Sequence, residues 1–158
     1  MKSISISNPD QIMSVIISPY NGEGQIDASR LGGVMDLSTF ANAVRIECRD
    51  NDITGFGVLP LYLQHLDCST NKISELPSTF TVPPVLHHFN ISNNDLDAEG
   101  FETIISAFYD TFGDQDLSEL DIPPQINVSQ NSEEFTSGVG GKKAALISNG
   151  WIIDTTFI

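Results

Sequence analysis

The stretch LQHLDCSTNKI, residues 63–73, decides how the chain is read. Leu63, Leu66, Cys68 and Ile73 stand at its first, fourth, sixth and eleventh places, with Asn71 at the ninth. His65, Asp67 and Cys68 lie near enough in sequence to suggest a metal or catalytic cluster. The same spacing recurs, however, in AVRIECRDNDI (43–53) and LHHFNISNNDL (86–96), which makes the cluster one unit of a repeat. Asn51, Asn71 and Asn94 key the register. A degenerate fourth unit, PPQINVSQNSE (123–133), keeps Ile126, Val128 and Asn131 in place but has Glu133 at its eleventh position. Internal repeats with a period of about 20–50 residues signal stacked architectures.

Elementary geometry accounts for the pattern. Apolar residues at the fourth and sixth places of a short strand point inward, while the third, fifth and seventh point out. Stacked units then pair their strands in parallel, about 4.8 Å apart. The ninth-place Asn falls where the chain turns, and its amide can satisfy backbone groups that the turn leaves unpaired. The expectation is an asparagine ladder of Asn51, Asn71, Asn94 and Asn131.

These units, above all LPLYLQHLDCSTNKISELP (59–77) with its flanking Leu-Pro pairs, resemble the leucine-rich repeat, in the short form of bacterial members. The resemblance is specific over 43–96 and extends loosely to Asn131. The closing Ala-Leu…Asn-Gly-Trp-Ile order in GGKKAALISNGWIIDTTFI (140–158) resembles terminal units of bacterial and bacteriophage arrays. The fold this implies is an α/β solenoid: a short leucine-rich-repeat array with parallel β-strands, capped at both ends, with one or two helices in its C-terminal part. A single domain is expected over 1–158. Its parts are an N-terminal cap (1–42), repeats (43–131) with an inserted helix at about 97–112, and a C-terminal cap (132–158).

Local signals support the caps and the helix. In DAEGFETIISAFYDTF, Phe101, Ile104, Ile105, Phe108 and Phe112 share one helical stripe, and Asp97 suits the N-cap. The last unit reads as a short helix closed by Gly150, then a strand around Trp151–Asp154. Near the N-terminus, SISIS (3–7) alternates, MSVIIS (13–18) reads as a strand and MDLSTF (35–40) as a partial repeat.

The register sorts the polar residues. Arg45, His65, His88 and Gln125 fall in one outward column, and Glu47, Asp67, Asn90 and Asn127 in a second. Arg49, Ser69, Ser92 and Ser129 form a third. Repeat proteins commonly bind partners on such an exposed concave face, because its side chains are free of packing duty. The candidate partner-binding residues are therefore Arg45, Glu47, Arg49, His65, Asp67, His88 and Asn90, with a solvated polar face as the plain reading. His65, His88 and His87 beside Asp67 and Glu47 also make a pH-sensitive or weakly metal-binding patch conceivable. Cys48 and Cys68 share the inward sixth place. Strand spacing exceeds the ~3.8 Å Cβ separation of a disulfide, so they read as small buried hydrophobes. No metal, cofactor or catalytic residue is expected: zinc needs three or four convergent ligands, and His65 and Asp67 point away from Cys68. Neither the EF-hand pattern at 114–125 nor the phosphate-loop pattern at 136–143 is met.

Composition restricts partners. The formal charge is −14, from 21 acidic and 7 basic side chains, and no Lys or Arg occurs between Lys72 and Lys142. Phosphate backbones and anionic lipid repel such a chain, so no nucleic acid and no membrane insertion are expected. The opening MKSISISNPDQIMSVIISPYNG lacks a secretory apolar run, and no stretch is long enough to span a bilayer. The expected role is non-enzymatic: protein–protein interaction, as a structural or decorating component of a larger assembly. The resemblance makes that assembly a phage virion, with Phe157 and Ile158 as edge contacts. The alternative is a soluble host-recognition module, adhesin-tip or effector-like, binding through the concave face. Virion or cytoplasm is the corresponding location.

Overall fold

A computed structural model describes residues 14–17, 30–74, 76–77, 79–129 and 139–155. SISIS (3–7), Asn131, Phe157 and Ile158 lie outside the described residues. The fold is α/β. Its elements in chain order are β1 (Ser14–Ile16), β2 (Gly32–Met35), β3 (Arg45–Glu47), β4 (Asp52–Phe56), β5 (His65–Asp67), β6 (His88–Asn90), α1 (Ala98–Phe112), β7 (Gln125–Asn127), α2 (Gly140–Ser148) and β8 (Ile152–Asp154). A 3₁₀ turn, Ser38–Phe40, follows β2.

Among the described residues six strands form one parallel sheet in the order β1-β3-β5-β6-β7-β8, and β2 pairs with β4 in a second parallel sheet. In the larger sheet Val15, Ile46, Leu66, Phe89, Ile126 and Ile153 lie side by side, each flanked by the outward third and fifth places. Such register is strongly specified. A slip by one residue would expose the whole inward row. Backbone pairing continues past the strands: Cys48 N–H donates to Asp67 O (2.8 Å) and Asp50 N–H to Ser69 O (3.1 Å). The next step repeats this through Cys68 to Asn90 O and Thr70 to Ser92 O.

The repeat's apolar places form the core. Ala43, Ile46, Cys48 and Ile53, their counterparts Leu63, Leu66, Cys68 and Ile73, and then Leu86, Phe89, Ile91 and Leu96 are all buried. Burying one such Leu, Ile or Phe side chain contributes about 1.5–3 kcal/mol before the entropy of ordering it. Aromatic rings carry the core toward the C-terminal end. Phe80 lies 6.2 Å from Phe89, Phe89 5.3 Å from Phe108, and Phe108 5.2 Å from Trp151 between ring centroids.

Helix α1 begins as its sequence requires. The Asp97 carboxylate accepts the Gly100 N–H at 2.8 Å, and Phe101, Ile104, Ile105, Phe108 and Phe112 face the core. α2 and β8 stand where the closing unit placed a helix and a strand. Between them Gly150 has φ +98°, and a Cβ there would meet the Leu117 and Ser118 backbone at 2.7 Å. Backbone cannot move aside as a side-chain tip can. Gly150→Ala is therefore expected to destabilise by about 2–4 kcal/mol, from left-handed strain plus overpacking. Thermal melting checks this, and an unchanged midpoint would contradict the close approach.

The two cysteines are not the separate buried hydrophobes that the sequence suggests. Cys48 and Cys68 are joined as a disulfide, their Cα atoms 4.9 Å apart. That separation lies inside the ~4.4–6.8 Å span a disulfide accepts. Strand spacing overstates the Cβ separation, because two side chains entering the core from adjacent strands can lean together.

Candidate functional site

The outward face rests on two hydrogen-bond ladders built by the repeat. In the first, each described ninth-place Asn, Asn51, Asn71 and Asn94, bridges two neighbouring units. Asn71 accepts the Ile53 N–H at 3.0 Å and donates to Cys48 O, Cys68 O and Ser69 O. Asn94 repeats this one unit later, accepting from Ile73 and donating to Cys68, Ile91 and Ser92 carbonyls. Asn51 does the same toward the N-terminus, accepting from Leu31 and donating to Ile17, Cys48 and Arg49. Ile17 and Leu31 thus fill repeat positions in a stretch whose sequence shows no repeat, and β1 pairs with β3 in register.

The second ladder joins the fifth and seventh places. Ser69 donates both its N–H (3.0 Å) and its hydroxyl (2.6 Å) to Asp67 Oδ1. Ser92 treats Asn90 likewise, and Ser129 treats Asn127. These local turns explain a second difference from expectation. Ser69, Ser92 and Ser129 are buried rather than outward, and Asp67 is only 9% exposed. The following eighth places, Asp50, Thr70 and Asn93, all have φ between 53° and 60°. Asp and Asn tolerate that left-handed region, whereas Thr70 stands there against its β-branched preference. This third repeating constraint leaves little trace in residue identity.

Above the ladders the sheet brings Arg45, Glu47, His65, Asp67, His88 and Asn90 together on β3, β5 and β6. Glu47 is the hub. Arg45 pairs with its Oε1, Arg49 Nη2 lies 3.9 Å from its Oε2, and His65 Nε2 lies 3.7 Å from Oε1. Arg49 sits beyond the strand with a largely exposed side chain. His87 falls outside the patch: it takes the second place, and its Nδ1 lies 3.2 Å from Val85 O.

His65 and His88 stack with centroids 4.0 Å apart and planes within 2° of parallel. Parallel rings aim their nitrogen lone pairs alongside one another rather than at a common point, which is poor geometry for shared metal ligation. Among the described residues no group of three or more His, Cys, Asp or Glu is arranged to hold a metal ion. Burial, then the neighbouring His88 and Arg45, hold the His65 pKa down to about 4, against opposing pulls from Glu47 and Asp67. His88 is lowered too, chiefly by burial.

A depressed folded-state value means that the unfolded chain takes up the proton first. Stability from the neutral pair is therefore full above about pH 6.5 and declines as pH falls toward the folded value. NMR titration is expected to show His65 protonating far below the ordinary imidazole range. A midpoint near 6.5 would mean that the rings are neither buried nor stacked.

Helix α1 and the rest of the described residues supply no helix long and apolar enough to cross a membrane. No protein-family model matches this chain, and neither a curated protein nor a solved structure matches it.

Proposed function

We propose that the chain is a short, capped leucine-rich-repeat solenoid that acts by binding protein rather than by chemistry. The observation supporting this most directly is the in-register parallel sheet, in which the fourth-place residues pack inward while the third places, with fifth-place Glu47 and Asn90, remain at the outward face. Within this reading the protein is a component of a larger assembly such as a phage virion. Exposed Ile16 and Ile152 continue the outward columns onto β1 and β8, the outermost strands among the described residues, and this apolar surface at the two ends of the sheet favours contacts there. Quantitative mass spectrometry of gradient-purified particles tests this: the chain should be present at a fixed ratio to the coat protein, and its absence overturns the assembly role.

A second reading, host recognition through the face, is favoured by the concentration of Arg45, Glu47, His65 and His88 at one place. It requires that Arg45→Ala and His88→Ala weaken partner binding without altering the melting temperature. In the assembly reading those substitutions are silent, and Ile16→Ser and Ile152→Ser are the disruptive ones.

A further inference from the structure

Exposed apolar residues recur in the segments that precede the strands, outside the third- and fifth-place columns. Before β5 and β6 the chain makes the same turn: Leu63 N–H donates to Pro60 O and Leu86 N–H to Pro83 O, both at 3.1 Å. Each turn sends its first-place Leu into the core and leaves the residue before it outside. Those outer residues are Tyr62 and Val85, and Ile122 occupies the matching position before β7. Residues 62, 85 and 122 precede His65, His88 and Gln125 by the same step, and those three are register partners in the sheet. Tyr62, Val85 and Ile122 are 56%, 42% and 78% exposed. Water-facing Leu61 widens this apolar column at the Tyr62 end.

The spacing and the charge indicate what would cover it. Neighbouring strands repeat at about 4.8 Å, close to the ~5.4 Å rise of one α-helical turn. A helix laid along the column can therefore set an apolar side chain against each step, at i, i+3 or i+4, and i+7. The protein's uncompensated charge is negative. Arg30, Arg45, Arg49, Lys72 and Lys142 each lie within 4 Å of a carboxylate. Asp121 borders Ile122, and no Lys or Arg occurs between Lys72 and Lys142. A second copy of a chain at −14, or any acidic partner, meets repulsion here, whereas Lys and Arg flanking an apolar stripe are attracted.

We propose that Tyr62, Val85 and Ile122 form a docking surface for a basic amphipathic helix of another protein. This goes beyond the function proposed above and does not depend on the repeat family. The probe is a fluorescein-labelled Leu/Lys amphipathic peptide of about 18 residues, roughly five helical turns, with its Leu/Glu counterpart as control. Fluorescence anisotropy at about 0.15 M salt, where long-range charge effects are screened, reads binding to the full chain. Saturable binding of the Lys peptide alone is expected. The Tyr62→Ser/Val85→Ser/Ile122→Ser variant, with its circular dichroism spectrum and melting point retained, should bind at least about tenfold more weakly. Arg45→Ala/His88→Ala should bind as the parent does, which separates this surface from the outward face. Equal binding by the triple variant, no binding, or loss only in the face variant would each overturn the proposal. So would sedimentation equilibrium showing self-association that the triple variant abolishes, because the occupant would then be a second copy.

Discussion

Asn71→Ala is expected to lower stability by about 2–4 kcal/mol, well beyond a surface substitution. The size follows from what the side chain leaves behind. Ile53 N–H is buried with Asn71 Oδ1 as its side-chain acceptor, and it loses that partner outright. The carbonyls of Cys48 and Cys68 are less affected, because Asn51 and Asn94 also donate to them. Ser69 O likewise keeps the Asp50 N–H. One orphaned donor, three weakened acceptors and a small void together give the estimate. Asn71→Asp separates the effects. It can keep the acceptor for Ile53, yet it turns a carboxylate oxygen toward three carbonyls, so it should be at least as damaging at neutral pH. Urea denaturation measures both. A near-zero change for Asn71→Ala would show that the ladder does not bear on stability.

Reduction of the Cys48–Cys68 disulfide is expected to cost about 3 kcal/mol, the chain-entropy value for a loop of this length. The sequence separation of 20 spans one whole repeat, so the link ties two neighbouring units together. It also joins the residues whose carbonyls serve the asparagine ladder, so loosening one loosens the other. In a chain of this size the loss corresponds to a fall in Tm of about 6–12 °C. Cys48→Ala/Cys68→Ala should melt where the reduced parent does, and adding reductant should leave that variant unchanged. Peptide mapping without reductant should recover the linked pair. Two free thiols in the denatured, unreduced protein would refute the bridge.

Much of the architecture was legible because the repeat states one physical requirement several times. Leu66 alone is an apolar residue; Ile46, Leu66 and Phe89 in one register describe a sheet. Asp97 and the stripe from Phe101 to Phe112 marked α1, and Gly150 before Trp151 marked the end of α2. The face residues Arg45, Glu47, His65 and His88 were assigned to their columns by the same alternation. Other features were out of reach. Ile17 and Leu31 join the ladder through their backbone groups, which any residue type carries, so no motif reveals them. The positive φ at Asp50, Thr70 and Asn93 follows from the turn each unit must make. The burial of Asp67 follows from Ser69 folding back on its carboxylate, whereas strand alternation alone points it to solvent.

What the sequence determined by itself was periodic: which apolar residues turn inward, that Asn51, Asn71 and Asn94 bridge neighbouring units, and where α1 begins and α2 ends. These depend on neighbours along the chain or one repeat away, and the repetition makes them visible. The tertiary structure alone decided distances between residues remote in sequence. It set the Cα separation that joins Cys48 to Cys68 and the 4.0 Å stack of His65 on His88. Each depends on how side chains lean and loops close once the units are stacked, and a residue's identity does not encode that.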